Sequence, residues 1–247
     1  MPPLIKVCSN GDRVPGSHPA VPITPDELAA DAAACVRAGA GAFHIHPRDP
    51  EGAETLEAEP TATALQAVRA AVPGVPVGGT TMIGIAGGDP ERRLALVRAW
   101  TVKPDFVSLN LEEPGADELA RCLIDDLGVG VEAGVFAVED AEVLAASSFR
   151  DELVRVLIEV DDPNGDAAVG RAWAIEAALD AHRVSAPRLH HGEDLATWAV
   201  IDAALARGRD VRIGLEDTLV MADGSSAPDN SALVAAVAAR AQARGTR

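Results

Sequence analysis

The sequence predicts an α/β fold, a single (β/α)8 or TIM barrel in which eight parallel strands alternate with eight helices. Two observations carry this prediction: short β-branched runs alternate with alanine-rich stretches along the whole chain, and a length of 247 residues fits one such barrel. Because no linker, repeat or low-complexity tract interrupts the pattern, we expect one barrel domain over 1–247. The competing fold is a doubly wound open sheet, which usually has a glycine-rich phosphate turn after its first strand. The SNGDR found here is not GxGxxG.

The predicted strands are short apolar or β-branched runs between turn-forming residues. In chain order they are 4–9 (LIKVCS), 42–47 (AFHIHP), 75–80 (VPVGGT), 105–111 (DFVSLNL), 129–135 (VGVEAGV), 153–160 (LVRVLIEV), 187–191 (PRLHH) and 211–216 (VRIGLE). The predicted helices lie at about 25–38, 61–72, 90–100, 116–126, 139–147, 168–182, 195–207 and 230–243. Thr24 and Asp89 each precede a proline in the first helical position, which is a strong helix start. Gly39 and Gly208 stand where a helix should end.

Composition excludes several classes of protein. The formal net charge of −17 argues against binding nucleic acid or an anionic membrane surface, because phosphates are held by clustered Lys and Arg. A small anionic ligand is still compatible with that charge. No apolar run reaches the length of a membrane span, and the start MPPLIKVCSNGDR does not resemble a signal peptide. The three cysteines form no CxxC pair, so we expect free thiols and a cytoplasmic protein.

The chemistry of such a barrel gathers at the carboxyl ends of its strands. Nearly every predicted strand ends in a polar residue, whereas the strand starts carry little such chemistry. In chain order these polar residues are Asn10, Asp12, His44, His46, Thr80, Thr81, Asn110, Glu132, Glu159, His190, His191, Glu216 and Asp217. This asymmetry predicts one functional site on one face of the barrel.

The strongest metal-binding candidates in that set are His44, His46 and Glu216. Side chains alternate along a strand, so the two histidines of HIH share a face, and the first and last strands of a closed barrel are neighbours. Two imidazoles and a carboxylate form the ligand set of a catalytic zinc site, although His₂-carboxylate also suits Fe²⁺ or Mn²⁺. The alternative is a pair of core histidines bonded to backbone or carboxylates. The absence of histidine between His46 and His182 argues against a binuclear hydrolase.

Three segments together resemble the β-keto acid cleavage enzymes, the family of 3-keto-5-aminohexanoate cleavage enzyme. They are HIHPRD after strand 2, VRIGLED at strand 8 and the earlier PITPDELAADAAACVRAGA, and the resemblance runs the length of the chain. The resemblance implies a zinc-dependent (β/α)8 barrel that condenses a β-keto acid with acetyl-CoA. The adduct is then split into acetoacetate and a new acyl-CoA. It also implies a homo-oligomer, a tetramer in the family.

Site residues follow from the resemblance position by position. It implies that one zinc per chain is held by His44, His46 and Glu216. The catalytic carboxylate falls on Asp217 and its paired arginine on Arg212. The acidic substrate contact after strand 1 falls on Asp12, as a change from Glu. A further catalytic carboxylate falls on Glu132, and the substrate-binding, hydroxyl-bearing turn falls on Thr80-Thr81.

The pairing of Arg212 with Asp217 is a demanding prediction. Their spacing of five residues is odd, so on an ideal strand the two side chains face opposite ways. Pairing therefore requires the chain to bend after Glu216. The alternative is a structural ion pair near the barrel rim.

Strand 7 departs from the family. It ends in RLHHGED where longer members have an Arg-His-Gln motif, and the chain is also shorter than those members. His191 is a candidate contact for a substrate carboxylate or a CoA phosphate, and Asn110 is a further substrate-binding candidate. The alternative for His190 and His191 is a half-exposed loop pair. These departures predict a different side-chain pocket, so the aminated six-carbon substrate is not transferred.

Two rival functions remain open at the level of sequence. One is a metal-dependent lyase or aldolase that uses the same enolate chemistry without CoA. The other is a non-catalytic, metal-stabilised barrel with a binding role. The pairing of an intact ligand set with Asp217 as a base favours an enzyme.

Overall fold

The computed structural model describes residues 2–245, which form a closed barrel of eight parallel strands in sequence order, with β8 paired to β1. The predicted (β/α)8 fold is confirmed. The strands are β1 Ile5–Cys8, β2 Ala42–Ile45, β3 Val77–Gly79, β4 Phe106–Asn110, β5 Gly130–Val135, β6 Arg155–Val160, β7 Arg188–Gly192 and β8 Asp210–Ile213. Most are one to three residues shorter than predicted. The strands β1, β2 and β8 end before the predicted residue, whereas β5 and β6 end as predicted and only begin later.

Eight α-helices surround the barrel over the described residues. They are α1 Pro25–Ala38, α2 Ala58–Ala71, α3 Pro90–Arg98, α4 Ala116–Arg121, α5 Val138–Ala146, α6 Gly165–Ala181, α7 Thr197–Ala206 and α8 Asn230–Gly245. The predicted start of α1 is confirmed, because Thr24 and Glu27 form a reciprocal capping box. The predicted helix over 116–126 is divided, since α4 continues as a π-helical segment over Cys122–Leu127.

The two faces of the strands have different chemistry. Val7, Phe43 and Ile213 point outward and pack with helix residues in the apolar layer between barrel and helices. Their neighbours point into the barrel, where the Lys6 ammonium donates to Glu132 Oε2 at 2.6 Å, from β1 to β5. The interior is therefore polar, and this polarity is what allows a site to form at one end of it.

The helices were compared with the length and apolar character of a membrane span. Over residues 2–245 none of them combines the length and the apolar character that a membrane span requires.

Candidate active site

A cleft of about 470 Å³ opens at the carboxyl end of the barrel. All eight strands, or the loops that follow them, contribute to its lining, as the barrel geometry predicts. The lining residues are Asp12, Arg13, His44, His46, Thr80, Met82, Ser108, Asn110, Glu112, Phe136, Glu159, Glu193, Asp194, Arg212, Glu216 and Asp217.

The three predicted metal ligands meet at the base of this cleft. His44 Nε2 lies 3.0 Å from His46 Nε2, which lies 3.8 Å from Glu216 Oε2, and all three ligand atoms lie within 4.8 Å of one another. Burial, followed by the charges of His46, Lys6 and Arg212, holds the pKa of His44 well below its usual value, so its ring is neutral. Glu216 Oε2 is buried without a hydrogen-bond partner. Two ring nitrogens beside an unpaired carboxylate oxygen fit a bound cation.

His46 is oriented by two side chains. Asn10 Nδ2 donates to the His46 carbonyl and Asn10 Oδ1 accepts from the His46 amide, each at 2.9 Å. The Glu54 carboxylate contacts His46 Nδ1, which leaves Nε2 to face the other ligands. A carboxylate on the second ring nitrogen fixes the tautomer of a metal-binding histidine. Sequence reasoning missed Glu54, because only the folded β2–α2 loop brings it back to His46.

The Arg212–Asp217 pair is present and lines the cleft. Arg212 Nε donates to Asp217 Oδ1 at 2.9 Å, and Arg212 Nη2 donates to Glu216 Oε1 at 2.5 Å. The required bend begins at Gly214 rather than after Glu216, since the amides of Asp217 and Thr218 both donate to the Gly214 carbonyl. A Cβ at Gly214 would lie 1.8 Å from the Cys8 carbonyl oxygen, so β8 approaches β1 too closely for any side chain there. The pair is buried rather than placed at the rim.

Asp217 presents one free oxygen to the cleft. Its Oδ1 is held by Arg212, whereas Oδ2 is buried and has no partner. Burial raises the pKa of Asp217; Arg212 and His191 act against that effect and Glu216 reinforces it, so the pKa stays above its usual value. A carboxylate in that state is a stronger base than one in water.

His190 and His191 are both fully buried in β7, so the alternative of a half-exposed loop pair is wrong. The two rings face opposite sides of the strand. His190 Nε2 lies 2.7 Å from Glu176 Oε2 on α6, outside the barrel. His191 Nε2 lies 2.7 Å from Glu159 Oε2, and its Nδ1 lies 3.6 Å from Asp217 Oδ1. His191 therefore stands behind the cleft lining, against Glu159 and Asp217.

The remaining predicted site residues divide into two groups. Asp12, Thr80 and Asn110 line the cleft. Thr81 does not, because its hydroxyl donates to the Ser108 carbonyl at 2.6 Å and joins the β3 end to β4. Glu132 does not either: β5 runs on to Val135, and so Glu132 lies within the barrel and pairs with Lys6 and Arg155 instead of a metal.

Comparison with known proteins gives a family and a relative. The model of the family described as beta-keto acid cleavage enzyme matches residues 2–163 and 191–247. The 3-keto-5-aminohexanoate cleavage enzyme of Fusobacterium nucleatum is 32% identical over 90 residues, which are 36% of this chain and 33% of that protein. The matched segment thus spans about a third of the length of this relative.

Solved structures share the fold at low identity. ObcA in a binary complex with oxaloacetate superposes with a TM-score of 0.76 at 18% identity, covering 92% of this chain and 64% of ObcA. Its ternary complex with a C4-CoA adduct and oxalate gives the same TM-score and identity, covering 92% and 65%. The 3-dehydroquinate dehydratase of Geobacillus kaustophilus gives a TM-score of 0.63 at 12% identity, covering 99% and 91%. The chain spans less than two thirds of the ObcA chains.

Proposed function

This chain belongs to the beta-keto acid cleavage enzyme family, and from that premise we propose that it is a zinc-dependent enzyme acting on a β-keto acid and acetyl-CoA. In the proposed reaction, R–CO–CH₂–COO⁻ and acetyl-CoA give R–CO–CoA and acetoacetate. We also propose that the protein is a homo-oligomer, tetrameric as in the family, and that it is cytoplasmic. One observation carries it: the three ligand atoms and the free oxygen of Asp217 belong to the same cleft.

His44, His46 and Glu216 would hold one zinc ion, which as a Lewis acid supplies stabilisation for negative charge on the keto oxygen. Asp217 takes the C2 proton of the β-keto acid at Oδ2, because Arg212 already holds Oδ1. The Arg212 guanidinium holds the Asp217 carboxylate in position both when it takes the proton and when it returns it.

Bond changes in the proposed reaction balance without a further reagent. The C2 carbanion, formed when Asp217 takes the proton, attacks the acetyl carbonyl and releases CoA. The CoA thiolate then attacks the C3 carbonyl, the C2–C3 bond breaks, and the proton returns from Asp217 to C2 of the departing acetoacetate. Thr80, Asn110 and Asp12 line the same cleft and are proposed substrate contacts.

The first experiment is metal analysis of the wild type and of His46→Ala by mass spectrometry. We expect about one zinc per wild-type chain and its loss in the variant, because the variant lacks one of the three ligands. The next experiment is turnover of β-keto acids with and without acetyl-CoA. Equal loss of the keto acid without the thioester would support the CoA-independent lyase instead. A folded wild-type protein that cannot be loaded with metal would contradict the proposed zinc-dependent reaction.

Asp217→Asn tests the proposed base. We expect turnover to fall by two to four orders of magnitude, roughly the contribution of a positioned general base, while zinc content stays at the wild-type level. The variant keeps the shape of the side chain and one acceptor for Arg212, so circular dichroism should not change. Undiminished turnover in Asp217→Asn would remove Asp217 from the mechanism.

A further inference from the structure

The strand β7 carries two buried histidine–carboxylate pairs, one on each of its faces. On the outer face, His190 Nε2 lies 2.7 Å from Glu176 Oε2. On the inner face, His191 Nε2 lies 2.7 Å from Glu159 Oε2. The outer pair ends at Arg209, which donates to Glu176 outside the barrel. The inner pair continues to the residues proposed for proton transfer, so two pairs of the same chemistry have different neighbours.

Glu159 determines how the His191 ring is held. The two residues face each other in the register of β6 and β7. Burial raises the pKa of Glu159, but the contact with His191 and the charges of Arg212 and Lys6 outweigh burial and lower the pKa to about 2. The group is therefore a carboxylate at neutral pH. Because a carboxylate only accepts hydrogen bonds, His191 donates from Nε2 and its Nδ1 points the other way.

The Nδ1 side of the His191 ring stands against the proposed base. His191 Nδ1 lies 3.6 Å from Asp217 Oδ1, and both side chains are fully buried. Arg212 reaches the same oxygen from β8, with Nε at 2.9 Å and Nη2 at 2.7 Å. Two side chains therefore meet at Oδ1, whereas Oδ2 of Asp217 has no hydrogen-bond partner in the described part of the chain.

Glu159 also faces the guanidinium that pairs with the base. Arg212 Nη1 lies 3.6 Å from Glu159 Oε2, the oxygen that accepts from His191. The contacts thus close on themselves, with each carboxylate placed between the same two nitrogen-bearing side chains. We call this set the Asp217 network and define it as Glu159, His191, Arg212 and Asp217. A change at Glu159 acts on both neighbours of Asp217 at once.

The pairing of Arg212 with Asp217 uses only one carboxylate oxygen. Arginine and carboxylate frequently pair through two parallel hydrogen bonds, one to each oxygen. That form would occupy Asp217 Oδ2, the atom proposed to take the C2 proton. Arg212 Nε and Nη2 converge on Oδ1 instead, where the His191 ring also stands, and Nη2 is shared with Glu216 Oε1. The surroundings therefore favour the form that leaves Oδ2 free.

We propose that Glu159 and His191 are positioning residues for the proposed base, which keep the Asp217 carboxylate in the one-oxygen pairing with Arg212 and leave Oδ2 free for the substrate. His191 is not part of the cleft lining, so it acts through Asp217 and not on the substrate. No bond of either residue forms or breaks in the reaction. The inference rests on the proposed function, because it takes Oδ2 as the atom that receives the C2 proton.

The first test compares Glu159→Gln with Glu176→Gln. Each variant removes the charge of one buried pair of β7 and keeps the size of the side chain, so Glu176→Gln is the matched control. The probe is acetoacetate, because the proposed reaction releases it with a proton from Asp217 whatever the R group is. Exchange of its C2 protons in heavy water, followed by NMR with the zinc-loaded full chain, reports on the base without acetyl-CoA.

We expect Glu159→Gln to lower the maximal exchange rate about 10- to 100-fold, the scale of a small misplacement of a reacting group. The half-saturating acetoacetate concentration and the zinc content should stay close to the wild-type values. Glu176→Gln should exchange at the wild-type rate even where it lowers the stability of the fold. Such a result would separate the positioning of the base from a structural role of a buried pair.

His191→Asn and His191→Gln distinguish the two ends of the ring. The amide of Asn lies near the place of Nδ1 and can still meet Asp217, whereas the amide of Gln lies near the place of Nε2 and can still meet Glu159. Both variants remove the ring, so the loss of packing is common to them. We expect His191→Asn to retain the faster exchange. Equal rates, or the reverse order, would show that His191 does not act through Asp217.

The outcomes separate this inference from the proposed function. Wild-type exchange in Glu159→Gln, or an equal loss in Glu176→Gln, overturns the inference and leaves the proposed function standing. If the wild type does not exchange acetoacetate above the uncatalysed rate, the proposed base fails, and the nitrogen chemical shifts of the His191 ring decide the inference. A shift of Nδ1 in Glu159→Gln and in Asp217→Asn, but not in Glu176→Gln, supports the Asp217 network. An unchanged Nδ1 resonance overturns it.

Discussion

At the scale of single residues, the site depends on how His46 is held. Asn10 bonds its backbone on both sides and Glu54 contacts its Nδ1, so the ring can present Nε2 only toward His44 and Glu216. When the ring of a ligand histidine is already held in place, metal binding loses less side-chain entropy. The contact to one ring nitrogen also determines which nitrogen is deprotonated. We therefore propose Glu54 as a positioning residue for the proposed metal site.

Glu54→Gln tests this role. We expect the affinity for zinc to fall about 10- to 100-fold, because the amide no longer orients and polarises the His46 ring as the carboxylate does. Competition with a chelator of known affinity measures the change. Glu51→Gln, on the same loop and exposed, should bind zinc as the wild type does. Equal zinc affinity in Glu54→Gln and Glu51→Gln would contradict the positioning role.

At the scale of elements, the junction of β8, β1, α1 and α8 holds Glu216, the proposed third metal ligand, in place. Asn230, the first residue of α8, accepts from the Leu215 amide at 2.7 Å and donates to the Ser9 carbonyl at 3.0 Å. It also donates to Asp31 Oδ2 on α1 at 3.1 Å. One amide thereby ties the chain just before Glu216 to the end of β1. The position of the third ligand is set by this junction rather than by β8 alone.

Asp31 makes the stability of this junction depend on pH. Burial raises its pKa from 3.8 to about 6, although hydrogen bonds from Ser9, Asn230 and Cys35 oppose the shift and Asp229 adds to it. Because the folded-state pKa is the higher one, the stabilisation is complete below about pH 4 and is lost as the pH rises through about 6. We expect the free energy of unfolding of the wild type, relative to Asp31→Asn, to fall by up to about 3 kcal/mol across that window.

Urea unfolding of both proteins at several pH values measures this difference. Asp31→Asn cannot titrate at this position, so its profile supplies the reference for all other groups. Parallel profiles for the two proteins between pH 4 and 7 would show that Asp31 does not couple folding to proton binding.

At the scale of the whole molecule, the barrel interior has two layers with different tasks. The upper layer carries the cleft, and the lower layer is filled by Phe106 together with the Lys6–Glu132–Arg155 cluster. Gly78 leaves the space for the Phe106 ring, since a Cβ there would lie 2.1 Å from it. Lys6 and Glu132 connect opposite sides of the barrel, so the cluster supports the floor under the site.

Glu132→Ala separates a structural from a catalytic role for this carboxylate. We expect the free energy of unfolding to fall by about 3–5 kcal/mol, because the buried Lys6 ammonium loses its partner. Chemical denaturation measures the loss. The double variant Lys6→Met with Glu132→Leu should recover much of it, because it removes both charges. A Glu132→Ala protein with wild-type stability and no turnover would restore Glu132 to the catalytic residues.

Particular residues show how far sequence reasoning reaches. The HIH pair and Glu216 were identified from strand alternation and the neighbourhood of strands 2, 1 and 8, and the structure brings their ligand atoms together. The resemblance assigns Thr81 and Glu132 to the site as well, but the Thr81 hydroxyl donates to the Ser108 carbonyl of β4, and Glu132 lies in the middle of β5, inside the barrel. Glu54 gave no local signal, because only the folded β2–α2 loop brings its carboxylate back to His46.

The sequence by itself determined the order of the elements, the closed barrel and the face on which the chemistry gathers. It could do so because hydrophobic periodicity, capping and strand-end polarity are local properties of the chain. Only the tertiary structure decided where β8 bends, which side of β7 each of His190 and His191 faces, and which carboxylate oxygens are left without partners. Those features depend on the closest approach of segments far apart in the chain, as at Gly214 against Cys8 and Gly134 beneath Glu159. Such contacts form only when distant segments pack together, so no single sequence position predicts them.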